Sequence, residues 1–193
     1  MKSSPELTIE RTAMKTLKII LLVLAILIAV PLLVALFIDN EYAVERDVVI
    51  ERSKTEVFDY IRYLKNQDNY SVWAGMDPDM RTSHQGVDGT VGFIASWESD
   101  KDDVGKGEQE IVGITDGERI DYALRFIEPF ESQSTAYMTT EAIDEYQTRV
   151  RWGFRGVMSY PMNLMLVVMN MEEAIGNDLQ NGLDELKRIL EQE

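Results

Sequence analysis

Hydrophobic and polar positions along this chain follow three regimes, and each marks out a different kind of element. From Ile19 to Ile38 the run IILLVLAILIAVPLLVALFI shows no period, because no position in it is charged. A helix of about 20 residues rises about 30 Å, enough to cross the hydrocarbon core of a bilayer. Pro31 is compatible with that role, since membrane helices tolerate proline when the freed carbonyl finds a partner. The stretch YAVERDVVIE, residues 42–51, is rich in β-formers and predicts a first strand. Ser53-Lys54-Thr55-Glu56 then supplies a capping box, with Ser53 accepting from the Glu56 amide while Glu56 reaches back. Val57, Phe58, Ile61 and Leu64 continue at helical spacing. A second short helix or turn is expected over Asp68–Met76, stopped by Asp77-Pro78.

From Arg81 the period changes to two. Val91, Phe93, Ala95 and Trp97 alternate with smaller or more polar neighbours, as do Ile120, Tyr122, Leu124 and Phe126, then Val150, Trp152 and Phe154. Asp88-Gly89, Asp116-Gly117 and the polar stretch Ser99–Lys106 are hairpin signals between them. Strands are therefore expected near 81–85, 90–98, 107–115, 119–127, 133–143 and 147–158, in an antiparallel meander with one apolar face. Glu108, Glu110, Asp121, Arg125, Arg149 and Arg151 fall on the other, wet face.

Beyond the strands the period is helical. Pro161 suits a first turn, and Leu164, Val168, Met171, Ile175, Leu179, Leu183, Leu186 and Leu190 recur at steps of three or four. That predicts one continuous helix of about 30 residues, about 45 Å long. Its first half, from Met162 to Met171, is apolar nearly all round but far too short to be a second membrane span. Its methionines read equally well as core filler or as the adaptable wall of a pocket. A single curved sheet must bury its apolar face, and only this helix is large enough to cover it. The expected fold is α+β: a curved antiparallel sheet gripping a long C-terminal helix, preceded by one transmembrane helix. Side chains available to line the room between sheet and helix are Phe93, Trp97, Tyr122, Phe126, Met138, Trp152, Met165 and Met169.

Charge orients these parts. Arg11, Lys15 and Lys18 precede the uncharged run, while Asp39 and Glu41 follow it. The positive-inside tendency places a tail, residues 1–18, in the cytoplasm, its first sixteen residues polar and unstructured, the span at 19–38, and a soluble domain at 42–193 outside. In a bacterium, outside means the periplasm or the cell exterior. A cleaved signal peptide is the competing reading, but signal h-regions run to about 15 residues and end at a small-x-small site. Here the run is longer, and Asp39-Asn40-Glu41-Tyr42 follows it. Residues 1–38 hold four Lys/Arg and two Asp/Glu, so the part from Asp39 onward carries the acidity, 15 basic against 32 acidic residues and a net charge of −17. Phosphate backbones repel such a domain, which excludes nucleic acid as a partner. There is no cysteine, hence no disulfide, thiolate nucleophile or Cys-ligated metal.

Several strings, in this order, resemble the SRPBCC superfamily, the START-related fold that includes polyketide cyclase/dehydrase-like proteins. VVIERSKTEVFDYIRYL (48–64) is similar to the family's opening strand and capped helix. Trp73 and Asp77-Pro78 follow, then GVDGTVGFIASWES (86–99), GKGEQEI (105–111) and ERIDYALRF (118–126). The most specific is YPMNLMLVVMNMEEAIGNDLQNGLDELKRIL (160–190), which resembles the family's terminal helix with its IG-x-D-x-x-x-GL-x-x-L pattern. Many relatives carry two tryptophans around a Ser-Pro segment where this chain has Ser71–Met76, so the pocket wall at Trp73 differs. The resemblance implies a helix-grip domain with a cavity for a hydrophobic small molecule, and similar bacterial proteins also carry a membrane anchor. It does not imply an enzyme, because members range from cyclases to lipid carriers and sensors.

Candidate chemistry is sparse. His84 is the sole histidine and falls in the polar stretch Arg81–Gln85, so His-based triads and multi-His metal sites are excluded. Gly105-Lys106-Gly107 precedes a strand rather than a helix, which fits a bulge or close strand crossing better than a phosphate loop. Asp77, Asp79, Asp100, Asp102 and Asp103 lack EF-hand spacing and read as solvated loop acids. No catalytic residue, cofactor or metal is assigned. Three readings stay open: a membrane-tethered module binding a lipid or similar apolar molecule, which leads; a cyclase- or dehydratase-type enzyme; and a protein-interaction module. The full chain is predicted to remain with membranes through high-salt and carbonate washing. Recovery in the soluble fraction, trimmed near Asn40, would identify the run as a signal peptide instead.

Overall fold

The computed structural model describes residues 5–101 and 104–192, with side chains from Ala13 onward, so Asp102, Asp103 and the first four tail residues lie outside the described residues. Within it the chain forms two compact units, one of residues up to Asn40 together with Met158–Val168, the other of Glu41–Val157 with Met169–Glu193.

In the first unit, helix α1 runs over Pro5–Ala35. It begins well ahead of Ile19 and stops short of Ile38, so part of the tail expected to lack structure is helical. LTIERTAMKTLK contains no Gly or Pro, and a helix already nucleated by the apolar run extends through such residues at little cost. The segment Ala13–Ala35 is 23 residues long with mean hydropathy 3.1, long and apolar enough to cross a membrane, and its central window is wholly unburied. The end of α1 is closed by a residue distant in sequence. The side-chain amide of Asn163 donates to the carbonyls of Ala35 at 2.8 Å and Ile38 at 2.9 Å. The Ala35 carbonyl is the last of α1, one of the terminal carbonyls a helix leaves without an i+4 partner, and Ile38 follows in the turn that closes it.

The second unit is a seven-stranded antiparallel sheet in the order β1-β7-β6-β5-β4-β3-β2. The strands are β1 (Glu41–Ile50), β2 (Arg81–Gln85), β3 (Ile94–Glu98), β4 (Lys106–Thr115), β5 (Arg119–Glu128), β6 (Ser132–Ala142) and β7 (Thr148–Val157). These match the expected strands closely, with one shortening. β3 starts at Ile94 rather than near residue 90, because Gly86, Gly89 and Gly92 all take positive φ in the preceding turn and leave Val91 exposed. Helix α2 (Lys54–Ile61) carries the capping box as expected, with both Ser53 and Glu56 bonds formed. The expected second helix resolves into two 3-10 turns, Leu64–Asn69 and Val72–Gly75. Register shifts in β4 at Lys106/Gly107 and Ile111/Gly113 bend the sheet.

The long C-terminal helix is broken where continuity was expected. Pro161 lies in a turn, α3 covers only Leu164–Val168, and α4 runs from Met171 to Gln192. Between them Asn170 adopts φ 47°, a left-handed conformation that asparagine tolerates better than most residues. Its carbonyl accepts from the N–H groups of Glu173 and Ala174, and its side chain bonds Glu173, so the break doubles as the start of α4.

Helix α4 covers the apolar face of the sheet with Leu179, Leu183, Leu186 and Leu190, against Val44, Ile50, Ile111, Ile120, Val150 and Trp152. Two glycines of the terminal-helix motif allow the approach. A Cβ on Gly182 would stand 2.8 Å from the Trp152 ring, and one on Gly176 would stand 2.1 Å from the Arg46 guanidinium. Gly182→Leu should therefore force α4 off Trp152 and destabilise the domain by about 1–3 kcal/mol. The measurement is a lowered denaturation midpoint of the full chain in detergent; an unchanged midpoint would show that the helix rides on other contacts.

Candidate functional site

Alternation fixes which side chains face the helix. On β5, Tyr122 and Leu124 point inward with Phe126. Register continues their rows across the sheet, Tyr122 to Ala136 and Phe154, and Leu124 to Ser134, Gly156 and Tyr42. Across β4 and β3 the row of Phe126 continues to Gly107 and Trp97. These rows form two regions of different character.

The first region is filled. Phe93, Tyr122, Met138 and Trp152 are at most 3% exposed and belong to one core cluster with Leu179, Leu183 and Leu186. The edge of Tyr70 meets Trp152 with ring centroids 5.7 Å apart, and Trp73 meets it at 6.0 Å and 86°. The Tyr70 hydroxyl donates to the Met138 sulfur at 3.4 Å. Burial pushes the hydroxyls of both Tyr70 and Tyr122 well above the usual tyrosine range, so both stay neutral. Four of the residues expected to line the room are thus buried within the core cluster.

The second region is half open. Tyr42, Trp73, Ala95, Trp97, Leu124, Phe126 and Phe154 are each partly exposed. Trp97 and Phe126 meet edge to face at 5.9 Å, and Tyr42 lies 5.9 Å from Phe154. Glycine makes this surface possible at two points: a Cβ on Gly107 would stand 2.4 Å from the Trp97 ring, and one on Gly156 would stand 2.5 Å from the Tyr42 ring. The indole N–H of Trp97 donates to the Val104 carbonyl at 3.4 Å. Gln109 and Ser134 add polar groups to this face, and no charged side chain occurs in these rows. Tyr42, Leu124 and Phe154 were absent from the expected set, although their alternation with Ala43, Ala123 and Arg155 would have identified them.

The methionines do not complete this site. Met165 belongs to the first unit, with α1, and Met169 is 57% exposed.

The outer face is polar, as alternation required. Arg125 bonds both Glu108 and Glu110, Arg119 bonds Asp121 at 2.7 Å, and Arg151 bonds Glu141 at 2.8 Å. The guanidinium of Arg119 sits 4.1 Å from the centre of the Tyr137 ring, whose hydroxyl bonds Glu45. A depression of about 450 Å³ crosses β1, β7, β6 and β5, lined both by outward residues such as Ala43, Arg155 and Arg125 and by Tyr42, Leu124 and Ser134 of the inward row. On the inward face, by contrast, exposed His84 lies opposite Ala95 in the row of Gln109 and Leu124 and stacks on Phe93 with centroids 5.8 Å apart. Gly105 takes φ 62° beside the Glu128 carbonyl, the close strand crossing expected of it.

Among the described residues the one buried carboxylate is Asp77. The Ser99 hydroxyl donating to it at 2.5 Å, helped by the Asp79 N–H and the Lys101 ammonium, holds it below the usual carboxylate range. It is a loop clamp and remains ionised. No group of three or more metal-ligating side chains occurs among the described residues.

Neither protein-family models nor curated proteins gave a match to this chain. Solved structures do match. A protein of Nitrosospira multiformis superimposes with a TM-score of 0.54 at 16% identity, over 76% of this chain and 94% of its own. Norcoclaurine synthase from Thalictrum flavum, solved with dopamine and hydroxybenzaldehyde, gives 0.59 at 8% identity over 78% and 86%. The di-domain aromatase/cyclase BexL gives 0.53 at 14% identity over 77% of this chain and 50% of BexL. At these identities the likeness is one of fold alone: a curved antiparallel sheet gripping a C-terminal helix.

The two regions should be separable by fluorescence. With Trp73 and Trp97 replaced by Phe, Trp152 alone should emit at short wavelength and resist iodide. A chain retaining only Trp97 should be quenched. Equal quenching would mean that the core around Trp152 is open.

Proposed function

We propose that this protein is a membrane-anchored binding module for a lipid or other hydrophobic small molecule. The observation that carries the reading is the uncharged strip of Tyr42, Trp97, Leu124, Phe126 and Phe154, each only partly buried, on the face that grips the helix. In a soluble domain this acidic, a contiguous apolar strip with a few neutral polar groups has the make-up of a ligand site. The ligand lies against the strip, with its polar end near Ser134 or Gln109. Helix α1 crosses the membrane with its N-terminus in the cytoplasm and delivers the domain to the far side. The fold shared with norcoclaurine synthase and BexL supports an apolar ligand of small size. An enzyme of cyclase type would need an inward acid–base pair, whereas the inward hydroxyls of Tyr70 and Tyr122 are held neutral and the buried Asp77 is engaged elsewhere.

A homologous series of single-chain alkyl ligands tests this. Each buried methylene contributes about 0.8 kcal/mol, so four more should tighten binding by up to about 3 kcal/mol, roughly two decades. Leu124→Glu should abolish that dependence without unfolding the domain. Affinity indifferent to chain length, in a variant series that stays folded, would overturn the proposal.

A further inference from the structure

The segment 158–168 has no part in that ligand strip, and its properties are unusual for a surface loop. No charged residue occurs between Arg155 and Glu172. Tyr160 is 46% exposed, Met162 53%, Val167 65% and Val168 68%, while Asn163, the polar residue among them, is 1% exposed. The usual pattern of a water-facing turn is inverted. What Asn163 does inside is specific: it satisfies the Ala35 and Ile38 carbonyls at the end of the apolar helix α1. The Met158 N–H donates to the Asn40 carbonyl at 2.8 Å, a second tie to the same end. Phe37, between those ties, is 88% exposed.

We infer that Tyr160–Val168 and Phe37 form a second membrane-contacting surface, lying at the headgroup–acyl boundary of the bilayer in which α1 ends. The inference rests on the reading of α1 as a membrane anchor. Lipid is the occupant because the surface is continuous with the end of a helix whose own apolar side chains are unburied. The segment meets the requirement that backbone groups in an apolar medium be paired internally. The N–H groups of Asn163, Leu164, Met165 and Leu166 bond the carbonyls of Ser159, Pro161, Met162 and Asn163. It is too short to span, and the apolar side chains with a flanking Tyr suit an element that lies in the interface. Unbranched methionine adapts to disordered acyl chains as readily as to a core. The methionine-rich stretch is then neither core filler nor pocket wall.

The absence of cysteine allows a direct test on the full chain in phosphatidylcholine liposomes. Single variants Met162→Cys and Val168→Cys carry a polarity-sensitive fluorophore, with Leu27→Cys as the reference for the span and Tyr146→Cys, 70% exposed in the β6–β7 turn, for water. Nitroxides borne on lipid near the headgroup should quench positions 162 and 168, those near the chain end should quench 27, and neither should quench 146. If 27 is quenched while 162 and 168 behave like 146, the second surface is overturned and the anchor stands. If 162 and 168 emit as if buried but escape lipid-borne quenchers, a protein covers them and the inference fails. If all four positions stay unquenched, both the anchor and the second surface fall.

Discussion

The contact between Trp152 and Gly182 organises the rest of the domain. Trp152 lies on β7, beside the edge strand β1, and the missing side chain at Gly182 lets α4 descend onto its ring. With the helix at that height, Leu179, Leu183 and Leu186 join Ile111, Ile120 and Met138 in one buried cluster. Tyr70 and Trp73 pack their edges on the same indole, which fixes the two 3-10 turns that α2 leads into. A larger residue at 182 would lift the helix from every one of these partners together, because packed interiors do not deform continuously.

That arrangement also explains why one half of the gripping face is solid and the other is not. Where α4 is close, aromatic side chains are fully enclosed and their hydroxyls are held neutral. Toward the Tyr42, Leu124 and Trp97 end the same alternating strands present partly exposed rings. The difference is in what covers the strands, since the strands themselves carry the same pattern throughout. The ion pairs on the outer face, most of them exposed, contribute little to stability. Their value lies in keeping that side of the sheet wet and unambiguous in register.

Much of this was legible in the sequence, for identifiable reasons. Period-two alternation located the strands after β1 to within a few residues, since one buried face leaves a regular mark. The capping box marked the start of α2 because its two bonds are local. The site was less legible. Alternation says that Tyr122, Met138 and Trp152 point inward, but only the depth of α4 decides whether they meet a helix or a void. The break at Asn170 was hidden because Leu164, Val168 and Met171 keep helical spacing straight through it; the signal available was an asparagine placed between apolar neighbours and an acidic first turn. Asn163 was the least legible of all. Its partners are backbone carbonyls far away in sequence, and no pattern in side chains records them.

That bond has a consequence for how the protein can vary. Asn163 binds main-chain oxygens of Ala35 and Ile38, so it is blind to which apolar side chains α1 carries. The helix is free to exchange Leu, Ile and Val along its length without disturbing the joint. What it cannot do is end a turn earlier or later, since the unpaired carbonyls would move away from the amide. The joint measures where the helix stops and ignores what the helix is made of. A change in the length of α1 would therefore have to be absorbed at its opposite, N-terminal end.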